Sequence, residues 1–180
     1  VDSGTLETIQ LCDNWAAEGK TEVNVYVMQG QLSNQAAVQR TQDIYDVIEA
    51  GKCKVKVNVI DQQTANWSRD EAQNLMTNWL STGAAFDGVI ANNDEMAIGA
   101  IQAMKAASID MATVQVGGVD ATQDALAAMQ AGDLDVTVFQ NARKRSTRCA
   151  GSLPAISAAL IAPMEMPAAQ SHSMPASVRP

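Results

Sequence analysis

Short runs rich in β-branched residues alternate with helical segments throughout residues 1–140, and this alternation constrains the fold more than any other feature. The predicted strands are Val23–Met28, Val55–Ile60, Phe86–Ala91, Thr113–Val119 and Val136–Phe139. The predicted helices are Leu6–Glu18, Asn34–Ala50, Ser68–Leu80, Asp94–Ala106 and Thr122–Ala131. Because strict strand and helix alternation with short connections requires crossovers, the pattern predicts an α/β fold, a doubly wound, mostly parallel five-stranded sheet with helices on both faces.

Capping patterns support two of the helix starts. Ser68 stands three residues before Glu71, and Asp120 stands three residues before Gln123. This is the spacing at which an N-cap side chain and a following acid or amide can satisfy each other's backbone amides. The sequence therefore predicts capping boxes at Ser68 and Asp120.

The composition changes near residue 141. Residues 1–140 carry seven Lys and Arg against nineteen Asp and Glu, a net charge of −12, whereas residues 141–180 carry five against one, a net charge of +4. All five prolines lie in the second part, and all seven aromatic residues lie in the first. We predict one α/β domain over 1–140 and a basic, then Pro/Ser/Ala-rich tail over 141–180 that is disordered or non-native. The acidic body argues against a nucleic-acid partner.

The three cysteines are widely separated along the chain, at Cys12, Cys53 and Cys149. An odd number without CxxC or Cys/His spacing predicts neither a zinc site nor a disulfide framework. We expect Cys12 and Cys53 to be buried structural thiols, and we expect no metal and no cofactor.

Amide or carboxylate side chains follow every predicted strand. In an open parallel sheet, ligands bind outside the carboxyl ends of the strands, so these residues are the first candidates for a site. They occur in the segments Gln29–Asn34, Asp61–Trp67 and Asn92–Glu95, at Asp120, and at Gln140–Asn141, with Arg40 two turns into the second helix.

The chemistry of this set points to a hydroxylated small molecule. Side chains that form two hydrogen bonds in a fixed fork suit neighbouring hydroxyl groups, and the indole of Trp67 suits the apolar face of a sugar ring. The set contains no nucleophile with a base beside it. We therefore predict a polyhydroxylated small molecule as the ligand, with no catalytic residues and no enzyme activity.

Several of these residues also have structural explanations. Ser33, Asn34 and Asp94 could be ordinary helix caps, because each lies where a loop enters a helix. Arg40 could pair with Asp43 or Glu49 on a solvated helix face. Trp67 could close one end of the core.

Three segments resemble one known family. These are Phe86-Asp-Gly-Val-Ile-Ala-Asn-Asn-Asp-Glu-Met-Ala-Ile-Gly-Ala100, Gly117-Gly-Val-Asp120 and Val136-Thr-Val-Phe-Gln140. Together they resemble the ribose/galactose-type periplasmic sugar-binding proteins of ABC importers, over roughly residues 1–140. The resemblance implies one C-terminal-type lobe of a two-lobed receptor that closes over a monosaccharide or cyclic polyol such as inositol.

The resemblance also implies site residues. Arg40 occupies the family's sugar-binding arginine position, and Trp67 the position of the aromatic that stacks on the ring. Asn93, Asp120 and Gln140 match the hydroxyl-binding amide, the carboxylate and the hinge-side glutamine. The sequence departs from the family at both ends, which implies an incomplete, single-lobe form.

The implied partners are a sugar or polyol and, for the full-length form, the membrane permease of an importer. A periplasmic or other extracytoplasmic location follows only from the resemblance, because residues 1–4 lack the layout of a signal peptide. In a single-lobe form the apolar wall of the cleft between the two lobes, here called the cleft face, is exposed, which implies a tendency to self-association. The effector domain of a lactose-repressor-like regulator is the alternative, since that class shares the fold and the motif.

Overall fold

A computed structural model describes residues 3–140 of the chain. Five α-helices, one short 3-10 turn and five strands follow one another in this range. The helices are α1 (Ser3–Ala17), α2 (Gln35–Glu49), α3 (Arg69–Ser81), α4 (Asp94–Ala106) and α5 (Gln123–Ala131), and the 3-10 turn is Met111–Thr113. The strands are β1 (Glu22–Gln29), β2 (Lys56–Thr64), β3 (Gly88–Ala91), β4 (Gln115–Val119) and β5 (Val136–Val138).

The five strands form one sheet in the order β2-β1-β3-β4-β5, and every neighbouring pair is parallel. The predicted fold class is therefore confirmed. The chain reverses its direction of travel across the sheet at β1, which has β2 on one side and β3 on the other. In sheets of this kind the loops at such a switch point leave a crevice at the carboxyl ends of the strands.

Two apolar layers cover the two faces of the sheet. Because side chains alternate along a strand, Val23, Val25 and Val27 of β1 join one layer, whereas Tyr26 and Met28 join the other. The first layer packs against α1 and α2, and the second against α3, α4 and α5. Helices on both faces leave the ends of the sheet as the place where polar side chains can meet.

Cap residues define the helix starts. Ser68 is a cap, but its predicted box lacks the reciprocal half, because its amide donates to the Ala65 carbonyl and the Glu71 carboxylate accepts from Asn66, and the box predicted at Asp120 is wrong. Ser68 caps α3 by accepting a hydrogen bond from the Glu71 amide at 3.3 Å. The N-cap of α5 is Thr122, whose hydroxyl accepts from the Ala125 amide at 3.2 Å. Asp120 lies two residues before this cap, with a φ of 118°. Its carboxylate therefore does not cap α5 and can contact other side chains.

Strand β2 is longer than predicted. Val25 pairs with Val59 and Tyr26 with Asp61, so Ile60 is an extra residue in a β-bulge and pairing continues to Thr64. Asp61, expected in a loop after the strand, lies within it and accepts a hydrogen bond from Trp79 Nε1 at 2.7 Å. This hydrogen bond lowers the pKa of Asp61 and makes its carboxylate a structural partner of the core.

Cys12 and Cys53 form a disulfide, so the expectation of two buried free thiols is wrong. The bond joins α1 to the connection between α2 and β2, with 5.2 Å between the two Cα atoms. The two cysteines are 41 positions apart in the sequence. This spacing alone could not predict the bond, because it does not show that α1 packs beside the connection between α2 and β2.

Within residues 3–140 no helix has both the length and the apolar character needed to cross a membrane, and no cluster of His, Cys, Asp or Glu side chains could hold a metal ion. The predicted tail over 141–180, together with Cys149 and Asn141, lies outside the described residues.

Candidate functional site

Arg40 lies at the centre of the polar side chains at the carboxyl end of the sheet. It projects from α2, is 8% exposed, and its Nη1 donates to the main-chain carbonyl of Asn92 after β3. Its Nη2 is 3.3 Å from Asp120 Oδ1, after β4. The alternative in which Arg40 pairs along its own helix on a solvated face is wrong, because its side chain is buried and reaches across the sheet.

Gln140 and Trp67 complete the surroundings of Arg40. With its oxygen facing the donors, the Gln140 amide accepts from Arg40 Nη2 and from Nε, the latter at 3.3 Å. The same end of this amide is 3.4 Å from Ser3 Oγ at the start of α1. The guanidinium carbon of Arg40 is 5.4 Å from the centroid of the Trp67 ring, within the range of a cation–π contact. The structure thus brings four of the five predicted site residues together.

Trp67 is held in an unusual backbone conformation. Asn66 and Trp67 both have positive φ, 51° and 66°, which side chains with a Cβ rarely adopt. The indole packs on Gly30 of the β1–α2 loop so closely that a Cβ at position 30 would be 2.2 Å from Trp67 Cζ2. Trp67 also packs on the core layer beneath α3. Trp67 thus closes one end of the core, as one alternative allowed, and also faces Arg40, while its predicted stacking on a ligand ring stays a prediction.

Asn93 is the N-cap of α4. Its Oδ1 accepts from the Met96 amide at 3.1 Å and begins α4. Among residues 3–140 its Nδ2 has no hydrogen-bond partner, so the amide retains a donor for a ligand. The predicted ligand contact of Asn93 stays a prediction.

Asn92, one residue earlier, organises the site more directly than the sequence suggested. Its side chain is fully buried, and its Oδ1 accepts from the Gly30 amide and from Thr41 Oγ1, both at 3.1 Å. Its carbonyl accepts from Arg40. Asn92 thus joins the end of β3 to the β1–α2 loop and to α2. The sequence signal for this role is the position of Asn92 directly after a strand. The sequence analysis includes Asn92 among the polar residues that follow strands but does not single it out.

Asp120 has the backbone of a strained site residue. Its φ is 118° and that of Ala121 is 51°, a pair of conformations that glycine adopts far more easily. The strain is held by hydrogen bonds to β5, from the Asp120 amide to the Val138 carbonyl at 2.9 Å and from the Ala121 amide to Thr137 Oγ1 at 3.0 Å. This backbone turns the Asp120 carboxylate, which is 40% exposed, toward Arg40.

Asp94 is a buried structural acceptor, and it is not the cap of α4. Its Oδ1 accepts from Thr137 Oγ1 at 2.6 Å and its Oδ2 from the Thr122 amide at 2.7 Å. A Cβ at Gly118 would be 2.6 Å from Asp94 Oδ1, so the glycine allows this close approach. Burial raises the pKa of Asp94 above its ordinary value, although these hydrogen bonds act in the opposite direction.

The charge of the site follows from these contacts. Arg40 is the cation among three neighbouring carboxyl groups, those of Asp120, Asp94 and Glu7 of α1. Asp120 is partly open to solvent, while Glu7 and Asp94 are fully buried. A cation flanked by a half-exposed carboxylate, an amide and an aromatic ring can hold neighbouring hydroxyl groups through charge-assisted hydrogen bonds.

Comparison with known proteins identifies relatives of one kind. Residues 2–154 match the family described as "Periplasmic binding protein domain". The chain is 58% identical over 142 residues to a "Putative rhizopine-binding protein" of Rhizobium meliloti, covering 79% of this chain and 44% of that protein. It is 36% identical over 142 residues to a xylitol-binding protein of Mycolicibacterium smegmatis, covering 78% of this chain and 38% of that protein.

Solved structures give the same result. An ABC transporter solute-binding protein of Bacillus halodurans, with bound myo-inositol, superposes with a TM-score of 0.70 at 40% identity, over 77% of this chain and 45% of that one. A periplasmic solute-binding protein of Actinobacillus succinogenes, with bound D-allose, gives a TM-score of 0.70 at 28% identity, over 81% and 49%. The chain therefore spans less than half the length of these relatives.

Proposed function

The chain belongs to the periplasmic binding protein family, and we propose that it is a solute-binding lobe that recognises a monosaccharide or cyclic polyol for ABC-type import. In this role Arg40, Asn93, Asp120 and Gln140 bind hydroxyl groups, and Trp67 stacks on the ring. The observation that carries the proposal is the convergence of the segments after three strands on Arg40, which places its guanidinium against Asp120, Gln140 and the Trp67 ring.

The wider role follows from the family. Binding proteins of this family have no catalytic part, and we propose none for this chain. A membrane permease is the proposed protein partner of the full-length form. The relatives reported above are binding proteins, two of them solute-binding proteins of ABC transporters, and they give the transcription-regulator alternative no support.

An extracytoplasmic location is part of the proposal. The disulfide between Cys12 and Cys53 supports it, since disulfides persist in oxidising compartments and are rare in the cytosol. Self-association through the cleft face stays a prediction. Leu32 and Phe139 at this end of the sheet are 57% and 70% exposed, which is consistent with an apolar surface there.

Binding by this chain alone should be weak. The described site is one wall of polar groups, and small-molecule sites gain affinity by burying most of the ligand surface. We expect a Kd of about 1 mM or weaker, which corresponds to about −4 kcal/mol.

The test is a titration of the whole chain, followed by two-dimensional NMR, with myo-inositol, xylitol and D-ribose at millimolar concentrations. We expect saturable shifts at Arg40, Trp67 and Asp120, lost in Arg40→Gln and kept in Lys105→Gln. Lys105 is the matched control, because it pairs with Asp133 on the surface at 2.7 Å. Shifts that never involve these three residues would contradict the proposal, and a micromolar Kd on a verified monomer would contradict the expected weakness.

A further inference from the structure

Glu7 is a buried carboxyl group that the proposed binding role does not use. It lies in the second turn of α1, is 0% exposed, and its carboxyl oxygens have no side-chain hydrogen-bond partner among residues 3–140. The backbone amide of Ala91 at the end of β3 is directed toward it. Burying such a group is costly unless it interacts with an opposite charge. A glutamine of the same shape would avoid most of that cost, so the carboxyl group itself requires an explanation.

The first two turns of α1 contact three segments that carry site residues. Ser3 Oγ is 3.4 Å from the Gln140 amide. A Cβ at Gly4 would be 2.5 Å from the Arg40 carbonyl oxygen, so α1 lies directly on α2 at Arg40. A Cβ at Gly117 would be 2.7 Å from Glu7 Oε1, so the carboxyl group contacts β4 three residues before Asp120. Residues 3, 4 and 7 share one face of the helix, and this face supports the site from beneath.

The electrostatic surroundings of Glu7 are those of the site. Arg40 is the opposite charge that acts on it, and Asp94 and Asp120 are the like charges. Asp43 of α2 is a further buried carboxyl group on the helix that α1 covers. Strands β4 and β5, which also pack on α1, carry no titratable side chain. A proton gained or lost by Glu7 therefore changes the field at Arg40 with little screening by solvent.

We propose that Glu7 is a positioning residue, whose buried carboxyl group sets the orientation of Arg40 toward Asp120 and changes it when Glu7 binds or releases a proton. Burial raises the pKa of Glu7 well above its ordinary value, with Arg40 opposing the shift. Glu7 thus exchanges its proton at a higher pH than an exposed glutamate does. The relevance of this coupling to ligand binding rests on the proposed function, whereas the coupling itself does not.

The test is an NMR pH titration of the whole chain between about pH 4 and pH 9, without ligand. It follows the Glu7 carboxyl carbon and the Arg40 Nε–Hε resonance, assigned with Arg40→Lys. We expect both signals to move with the same midpoint. In Glu7→Gln the Arg40 transition should disappear, whereas in Asp13→Asn it should persist. Asp13 is the matched control on the same helix, where it pairs with Lys54 at the surface.

The outcomes separate a positioning role from a purely structural one. A purely structural role would let Glu7→Gln change the free energy of unfolding while the Arg40 transition stays, and that result overturns the proposal. An Arg40 signal that does not follow Glu7, or a Glu7 that does not titrate in this range, also overturns it. If Glu7→Gln does not fold, the titration midpoints of Glu7 and Arg40 in the unaltered chain provide the test: equal midpoints support the proposal and different midpoints overturn it. Loss of the coupling with sugar-dependent shifts retained would overturn this inference and leave the proposed function standing.

Discussion

Arg40 Nη2 and Asp120 Oδ1 are 3.3 Å apart, although the two residues are 80 positions apart in the chain. The pair links α2 to the end of β4 across the carboxyl edge of the sheet. Arg40 is nearly buried while Asp120 is 40% exposed, so the pair has one anchored and one accessible member. This asymmetry suits a site in which the arginine is pre-positioned and a ligand hydroxyl group can approach the carboxylate.

Replacing Asp120 by asparagine should abolish ligand-dependent shifts with little loss of stability. The Asp120 carboxylate is partly solvated, the Asp120→Asn side chain keeps an oxygen acceptor, and Arg40 retains its hydrogen bonds to the Asn92 carbonyl and to Gln140, so we expect the free energy of unfolding to change little. The measurement is the polyol titration by NMR, together with urea unfolding. Asp124→Asn, which breaks an exposed pair with Arg69, is the matched control and should leave the titration unchanged. Ligand shifts that survive in Asp120→Asn would exclude a direct role for this carboxylate.

Replacing Gly30 by alanine should displace the Trp67 indole. The new Cβ would meet Cζ2 at 2.2 Å, and the ring can move only by leaving its contact with the β1–α2 loop. Overpacking of this kind costs roughly 1–3 kcal/mol. The measurements are the free energy of unfolding in urea and the indole N–H resonance of Trp67.

Gly19→Ala is the control for Gly30→Ala. A Cβ added at Gly19 would have no neighbouring atom within 4 Å, so this variant measures only the strain of placing alanine at a positive φ. The Trp67 resonance should not move in this variant. An unchanged Trp67 resonance in Gly30→Ala as well would show that the packing contact is not maintained in solution.

Breaking the disulfide should lower the stability of the fold. Chain-entropy arguments for a loop of 41 residues give roughly 3–4 kcal/mol. The comparison is urea unfolding of the unaltered chain, of Cys12→Ala with Cys53→Ala, and of Cys149→Ser, which keeps both bonded cysteines. The double variant should lose stability and Cys149→Ser should not. Alkylation of all three cysteines without a reductant would show that the bond does not form.

Stability should fall as the pH rises from about 4 toward neutrality. Burial raises the pKa of Asp94 and of Glu7, so in this interval the folded chain binds more protons than the unfolded chain. The free energy of unfolding then decreases with pH. Asp61 has a lowered pKa, so its contribution is lost only in the more acidic range, below the ordinary carboxyl value.

The check is urea unfolding at several values between about pH 4 and pH 8. Asp94→Asn should be less stable at mildly acidic pH, because its amide cannot accept from both Thr137 and Thr122, and its pH dependence should be flatter. A free energy that rises from mildly acidic to neutral pH would show that other groups dominate.

The element order and the end of the sheet that carries the site followed from the sequence alone. Apolar periodicity and turn residues are local properties, so strands and helices could be assigned within a few residues, and α4 was assigned with the bounds observed. The rule that ligands meet the carboxyl ends of parallel strands marked the segments after the strands as candidates, and the family resemblance then singled out Arg40, Trp67, Asp120 and Gln140, which the structure brings together.

Only the tertiary structure decided the relationships between distant segments. The disulfide of Cys12 with Cys53, the bulge at Ile60 that extends β2, and the close packing of α1 on Arg40 depend on how the elements approach one another. The burial of Glu7 also depends on what covers its side chain, and local sequence does not record that. Local chemistry determined which residues could form a site, and packing determined which of them meet and with what charge.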